Sequence, residues 1–197
     1  LEAPRGRGKS TILGIAVAEV VQSKATHVVV VLPHACSAIP MMRMLEAELE
    51  MSLPIGLRQR LPNGSSILLL TMSQAIETQW DADLLLIDEA ATFPVHALMG
   101  FLDVCERAVF CTTTAGYEGT GQGFRVRFDT ELISRFRDRR IVEMATPVRW
   151  SDADPVEAWV NESFFLEPWQ ETLTQLTSTL VIEEIERDQL ETQEIRL

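Results

Sequence analysis

An amine, a hydroxyl and two carboxylates stand in two short strings, Lys9-Ser10 and Asp88-Glu89. The first closes the octet Ala3-Pro4-Arg5-Gly6-Arg7-Gly8-Lys9-Ser10, which fits G-x-x-x-x-G-K-[ST] with alanine in place of the first glycine. Gly6 and Gly8 would let the backbone wrap an anion without a Cβ in the way, and a helix starting at Lys9 would point its N–H groups at that anion. Lys9 would neutralise the β and γ oxygens of a nucleoside triphosphate, and Ser10 would offer a hydroxyl to Mg²⁺. The second string, Asp83-Leu84-Leu85-Leu86-Ile87-Asp88-Glu89-Ala90-Ala91, reads as an apolar strand tipped by two acids. There Asp88 would hold Mg²⁺ through water while Glu89 polarises the attacking water. Taken singly, each string has a bland reading, a chance Gly-Lys-Ser triplet or a solvated acidic turn. Taken together, in this order, they predict triphosphate hydrolysis, a reaction that needs chiefly positioning and charge neutralisation.

For the two strings to meet, the chain must carry them on one sheet edge. Apolar residues Ile12, Leu13, Ala16, Val17, Val20 and Val21 recur at helical spacing between Lys9 and Ser23. Strands are expected at 27–32, 66–71, 83–88, 107–113 and 140–145, and further helices at Ile39 to Met51, Ser73 to Thr78, Val95 to Leu102 and Thr130 to Arg137. Such alternation predicts an α/β fold with a mostly parallel sheet and helices on both faces, and the two strings make it a P-loop NTPase. A phosphate loop hangs from the end of a buried strand. With only Leu1 and Glu2 ahead of this one, the first strand is expected to be lacking.

The 197 residues, 46% hydrophobic and 23% charged, suit a soluble globular domain and exclude collagen-like and disordered classes. Apolar runs such as 28–32 are strand-sized, far below the roughly 20 residues of a membrane span. No secretory or transit signal is read at Leu1, so a cytoplasmic location is expected. Residues 1–150 carry 15 Lys+Arg against 17 Asp+Glu, and residues 151–197 carry 2 against 12. The acidity therefore marks 151–197 as a separate helical extension behind a 1–150 core, leading toward a domain outside this chain. A uniformly basic nucleic-acid binder is excluded, and any RNA contact must come from a local patch.

Secondary signals are weaker. The run Thr112-Thr113-Thr114 enters the glycine-rich stretch Ala115 to Phe124, where Thr113 could sense a γ-phosphate, or the stretch is an ordinary loop. Arg125, Arg127, Arg135, Arg137, Arg139 and Arg140, interleaved with Phe124, Phe128 and Phe136, read either as an RNA-facing patch or as a solvated helix face. Trp80, Trp150, Trp159 and Trp169 could stack bases, but Trp159 shares a helical frame with Val156, Val160 and Phe164, which favours core packing. Met41, Met42, Met44 and Met51 read as core gap-fillers. Cys36, Cys105 and Cys111 read as buried, reduced thiols. His27, His34 and His96 have no nucleophile or carboxylate at motif spacing.

Four strings in consistent order then carry a resemblance: Arg5 to Ser10, Ile87 to Ala91, Gly116-Tyr117-Glu118-Gly119-Thr120-Gly121, and Val148-Arg149-Trp150 through Asp154-Pro155-Val156-Glu157-Ala158-Trp159. Over residues 1 to about 166 the chain resembles the ATPase module of tRNA(Met) cytidine acetyltransferases, in which a RecD-helicase-like module is joined to a GNAT acetyltransferase domain. The resemblance implies a RecA-like fold, with ATP or GTP and Mg²⁺ as cofactors. It implies nucleotide contacts from Arg5, Gly6, Arg7, Gly8, Lys9, Ser10, Thr11, Thr113, Gly116 and Arg149, with Arg149 acting as an arginine finger in cis on the γ-phosphate. It implies metal ligation by Ser10 and Asp88, and catalysis by Lys9, Asp88, Glu89 and Arg149. It further implies N4-acetylation of the wobble cytidine of elongator tRNA(Met), with acetyl-CoA bound only in a GNAT domain absent from these residues. Two rivals remain at this stage, a RecD-like translocase without acetyl transfer and a non-hydrolysing nucleotide-bound RNA scaffold.

Overall fold

The computed structural model describes residues 1–53, 56–105, 107–113, 128, 130–136, 138–148 and 154–163. Gly116, Arg149, Arg125, Arg127, Arg137, Trp150 and Trp169 lie outside the described residues.

The centre is a sheet in the order β3 (Arg58–Arg60), β4 (Ser66–Thr71), β2 (His27–Leu32), β5 (Leu84–Ile87), β6 (Ala108–Phe110). All pairings are parallel except the antiparallel β3–β4 edge. A second, two-stranded ladder pairs β1 (Glu2–Ala3) in parallel with β7 (Thr112–Thr113). Because β7 resumes one residue after β6, the two ladders share a line of chain, and β1 continues the sheet beyond β5 and β6. Leu1 to Ala3 thus take a strand's place at the root of the loop. The expected strand at 140–145 is reduced to a single bridge, Glu143 to Glu2. Val142 and Met144 exchange backbone hydrogen bonds with Glu2 there, so the segment flanks β1 over one residue only.

Strands buried on both faces must be apolar throughout, and each alternates its side chains between two cores. Val28, Val30, Leu32, Ile67, Leu69 and Leu86 face α1 (Lys9–Ser23) and α2 (Ala38–Leu49), meeting Leu13, Val17, Val21, Met41 and Leu45. Val29, Val31, Leu68, Leu70, Leu85 and Ile87 face α3 (Met72–Glu77) and α4 (Val95–Val104), meeting Ala75, Leu98 and Phe101. Helices on both faces of a mostly parallel sheet are the expected α/β arrangement. α1 and α2 lie so close that a Cβ on Gly14 would stand 2.4 Å from the Met41 carbonyl oxygen. α3 starts one residue earlier than expected because Thr71 and Gln74 form a capping box, Gln74 N–H donating to Thr71 Oγ1 and Thr71 N–H to Gln74 Oε1.

Two packing expectations are corrected. In α5 (Pro155–Ser163), Trp159 is 62% and Val156 65% exposed, and the helix buries no residue. The apolar frame at 156, 159 and 160 is therefore not a core stripe in this chain. Cys36 is exposed, while Cys105 and Cys111 are buried and all three are free thiols. Met41 is fully buried and Met42 and Met51 pack against the same cluster, as expected of gap-fillers. Among the described residues no helix is long and apolar enough to cross a membrane.

Candidate phosphate and metal site

The loop between β1 and α1 turns on two glycines in left-handed conformation, Gly6 at φ 79° and Gly8 at φ 81°. A side chain is strained there, which is why the motif demands glycine at these places. Gly8 caps α1, no side chain covers the helix start, and no acid occupies the first turn. The first N–H groups of α1, including those of Ser10 and Thr11, are accordingly presented as donors with the positive end of the helix dipole behind them.

Lys9 lies under this loop. It is 6% exposed, and its Nζ donates to the carbonyl oxygens of Ala3 and Pro4, each at 3.4 Å. Burial pulls its pKa below the ordinary lysine value, opposed by the charges of Glu89 and then Asp88. Glu89 Oε1 stands 3.9 Å from Lys9 Nζ. From 78 residues downstream, Asp88 Oδ2 accepts a hydrogen bond from Ser10 Oγ at 2.9 Å. Asp88 Oδ1 accepts from the Glu89 N–H at 3.0 Å. Asp88 is 3% exposed, and burial raises its pKa while the Ser10 hydroxyl pulls it back down. The two strings singled out in the sequence thus form one cluster. β5 is not the neighbour of β1, because the β6–β7 line lies between them. The acids reach the loop by projecting from the strand's end to the start of α1.

Glu89 itself is left-handed, at φ 49° and ψ 48°. That conformation is costly for a residue with a Cβ and aims the side chain away from the strand's own line. Thr113 meets it there, its Oγ1 lying 2.7 Å from Oε2 and 3.0 Å from Oε1. Thr113, expected to contact nucleotide, therefore contacts the second acid in this structure. Arg7, also expected to contact nucleotide, sends its guanidinium to Ala145 O (Nε, 2.8 Å), Arg5 O (3.3 Å) and Glu157 Oε1 (2.8 Å). Arg5 is exposed at the loop's rim. Val148, next to the undescribed Arg149, donates its N–H to Gly6 O at 3.4 Å. The sequence reading gave no role of its own to Glu157 or Ala145; a lone acid 150 residues away carries no motif signal.

The group fits a metal-bound nucleotide. Its donor set is oxygen only, a hydroxyl and a carboxylate. Among the described residues no three His, Cys, Asp or Glu side chains converge on a metal position. That is the chemistry of Mg²⁺ held by one or two side chains and completed by phosphate and water, rather than of a protein cage. Ser10 and Asp88 would hold the ion, and the loop N–H groups and Lys9 the phosphates.

Trp80 is an edge of the second core, its Nε1 donating to Ala75 O at 2.9 Å and its ring 5.9 Å from Phe101. Phe128 is buried edge-on to Phe110, and Arg135 pairs with Asp103 over the Phe136 ring. That part of the arginine-phenylalanine stretch packs onto the domain. A hollow of about 660 Å³ lies between α3 and α4, lined by Ile76, Trp80, His96, Phe101 and Val104, and contains none of the phosphate-site residues.

A family model described as RNA cytidine acetyltransferase NAT10/TcmA, helicase domain, matches residues 1–167. The tRNA(Met) cytidine acetyltransferase TmcA of Vibrio cholerae is 36% identical over 170 residues, covering 85% of this chain and 23% of that protein. TmcA of Nitrosococcus halophilus is 34% identical over 194 residues, covering 96% of this chain and 26% of that protein. The chain thus spans about a quarter of the length of these relatives. Among solved structures, the large terminase of a thermophilic bacteriophage superposes with a TM-score of 0.56 at 12% identity, over 81% of this chain and 43% of that one. At such identity the likeness is one of fold alone.

Proposed function

This chain belongs to the family of RNA cytidine acetyltransferase NAT10/TcmA helicase domains, and from that premise we propose that it binds and hydrolyses ATP or GTP with Mg²⁺ on behalf of a tRNA acetyltransferase. The observation that carries the reading is the 2.9 Å contact of Ser10 with Asp88, beside the 3.9 Å approach of Lys9 to Glu89. The ammonium of Lys9, itself shielded from solvent, meets phosphate oxygens where its charge counts for more than at a surface. Mg²⁺, when bound, supplies further charge neutralisation at the β- and γ-phosphates. Glu89 orients the attacking water and accepts its proton, and Thr113 holds that carboxylate in place. Arg149 adds a second cation at the γ-phosphate, a role supported by the seating of its neighbour Val148 on Gly6.

The whole-protein reading follows from the relatives. Hydrolysis here supports N4-acetylation of the wobble cytidine of elongator tRNA(Met), with acetyl-CoA bound by a GNAT domain elsewhere in the full-length polypeptide. In that reading, Arg149 and the 114–124 segment close over the γ-phosphate and relax after hydrolysis, changing how tRNA is presented to the acetyl-transfer site.

The test compares Glu89→Gln with wild type. Loss of a positioned general base lowers kcat by about 10²–10⁴-fold, while binding of ATP persists because the loop and Lys9 are intact. Equal phosphate release from the two proteins would refute hydrolysis at this site.

A further inference from the structure

We propose that Glu157 is a positioning residue of the nucleotide site, acting through Arg7 to make α5 a working part of the phosphate loop; this rests on the nucleotide-binding reading above. Arg7 stands between the two left-handed glycines of the loop. Its side chain runs outward and fixes three pieces of chain. Its Nε holds Ala145 O at 2.8 Å, and one terminal nitrogen holds both Arg5 O at 3.3 Å and Glu157 Oε1 at 2.8 Å. The ion pair is sheltered, with the two side chains 11% and 20% exposed. A charge-assisted hydrogen bond in such shelter is stronger than a surface pair.

The other end of the link is built as well. Asp154 Oδ1 accepts the N–H of Val156 at 2.8 Å and of Glu157 at 3.2 Å, fixing the first turn of α5 where Glu157 projects. Val148 closes the same side of the loop, with its N–H on Gly6 O and its Cγ2 3.4 Å from where a Gly8 Cβ would lie. The loop is therefore bent around its inner, anion-facing side by α1 and held on its outer side by Arg7, residues 145–148 and Glu157. α5 has no fully buried residue, so its tie to Arg7 counts for more than it would in a helix seated on a core.

The consequence is coupling. A loop held in its binding shape gives up less freedom when phosphate arrives, so affinity depends on the tie. By reciprocity, bound nucleotide must steady α5. The arginine fork serves the Ala145 carbonyl from Nε and the Glu157 carboxylate from a terminal nitrogen, two separate donors held in one rigid plane.

The experiment measures binding of a fluorescent ADP analogue with Mg²⁺ to the full 197-residue chain. Hydrogen exchange of residues 155–163 is followed with and without that analogue. Glu157→Gln, which keeps shape and removes charge, is expected to weaken binding about five- to twentyfold, less than the full worth of a hydrogen bond to a charged group because the amide oxygen still accepts. Nucleotide is expected to slow exchange in α5 of the wild type and not of the variant. A folded Glu157→Gln that binds as well as wild type overturns the inference. So does a wild type that binds the analogue while exchange in α5 stays unchanged, and this second measurement decides alone if the variant does not fold. A wild type that binds no nucleotide overturns the parent reading and this inference with it.

Discussion

The approach of α1 to α2 at Gly14 gives a prediction in which local propensity and packing disagree in sign. Alanine in a helix interior is favoured over glycine by about 1 kcal/mol, so propensity alone predicts that Gly14→Ala stabilises. The structure predicts the reverse. A Cβ at this position would stand 2.4 Å from Met41 O, 2.9 Å from Met44 Cβ and 3.2 Å from Leu45 N. Non-bonded carbon contacts settle near roughly 3.5–4.0 Å, so α2 must back away by about 1 Å. Two of the three obstacles are backbone atoms that no rotamer change can clear. Overpacking of this kind costs about 1–3 kcal/mol. The upper end applies because Leu13, Val17, Met41 and Leu45 all lose close contact when the helices separate. The net effect is a loss of about 2 kcal/mol, or roughly 4–8 °C in Tm for a chain of this size. Gly100 in α4 is the matched control, since a Cβ there meets nothing within 4 Å. Gly100→Ala should gain up to about 1 kcal/mol. Urea and thermal unfolding of the two variants beside wild type is the assay. A Gly14→Ala midpoint equal to or above wild type would show slack between the helices and refute the packing argument. Nucleotide affinity should fall along with Gly14→Ala stability, because α1 carries Lys9 and Ser10 at its first turn.

Three further outcomes are expected. Ser10→Ala removes the hydroxyl on the buried Asp88 carboxylate, so Mg²⁺-dependent nucleotide binding should weaken sharply while binding in excess chelator stays unchanged, as titration calorimetry can show. Glu50, left-handed at φ 51° where α2 ends and exposed to solvent, caps the helix through its backbone N–H alone, which glycine would keep; Glu50→Gly should raise the urea midpoint by an amount worth about 0.5–1 kcal/mol. Burial pushes the Cys111 thiol from 9.0 up to about 12. Between those values the unfolded chain has lost a proton that the native chain keeps, so stability falls as pH rises, by up to about 1.4 kcal/mol per pH unit. Lys9, with its lowered pKa, gains stability with rising pH over part of the same range. The signature is therefore the difference between wild type and Cys111→Ala in unfolding series above about pH 9; parallel curves would refute it.

The sheet and the two helices behind the loop were legible because the central strands β2, β4 and β5 are buried on both faces and therefore apolar along most of their length, and because the apolar period of α1 starts at the motif's own lysine. β3 was not, since Arg58-Gln59-Arg60 is a polar edge strand recognisable only by what it pairs with. Residues 140–145 show the opposite failure. Ile141, Val142 and Met144 suit a strand, yet a strand needs partners along its length, and only Glu2 is available among the described residues. The convergence of Lys9, Ser10, Asp88 and Glu89 was readable from motif chemistry alone. The engagement of Arg7 with Glu157 was not, because motif position says which backbone the residue sits on and nothing about where a long side chain turns. Trp159 was misjudged for a related reason: helical spacing of apolar residues says that they share a face, not that this chain covers that face.

Cys111 sits where the chain stops pairing with β5 and starts pairing with β1. Its N–H donates to Ile87 O at 2.8 Å, its carbonyl accepts from Ala90 N–H at 2.7 Å, and the next residue, Thr112, donates to Leu1 O at 3.0 Å. The height of the acids relative to the loop is thus transmitted through one residue's change of side. Inserting or deleting a single amino acid between Phe110 and Thr112 would slide the acidic tip by about 3.3 Å against the root of the loop. That slip is as large as the hydrogen bond between Ser10 and Asp88 is long. Changes of length, which surface connections absorb readily, should therefore be forbidden along this stretch even where every substitution of type is tolerated.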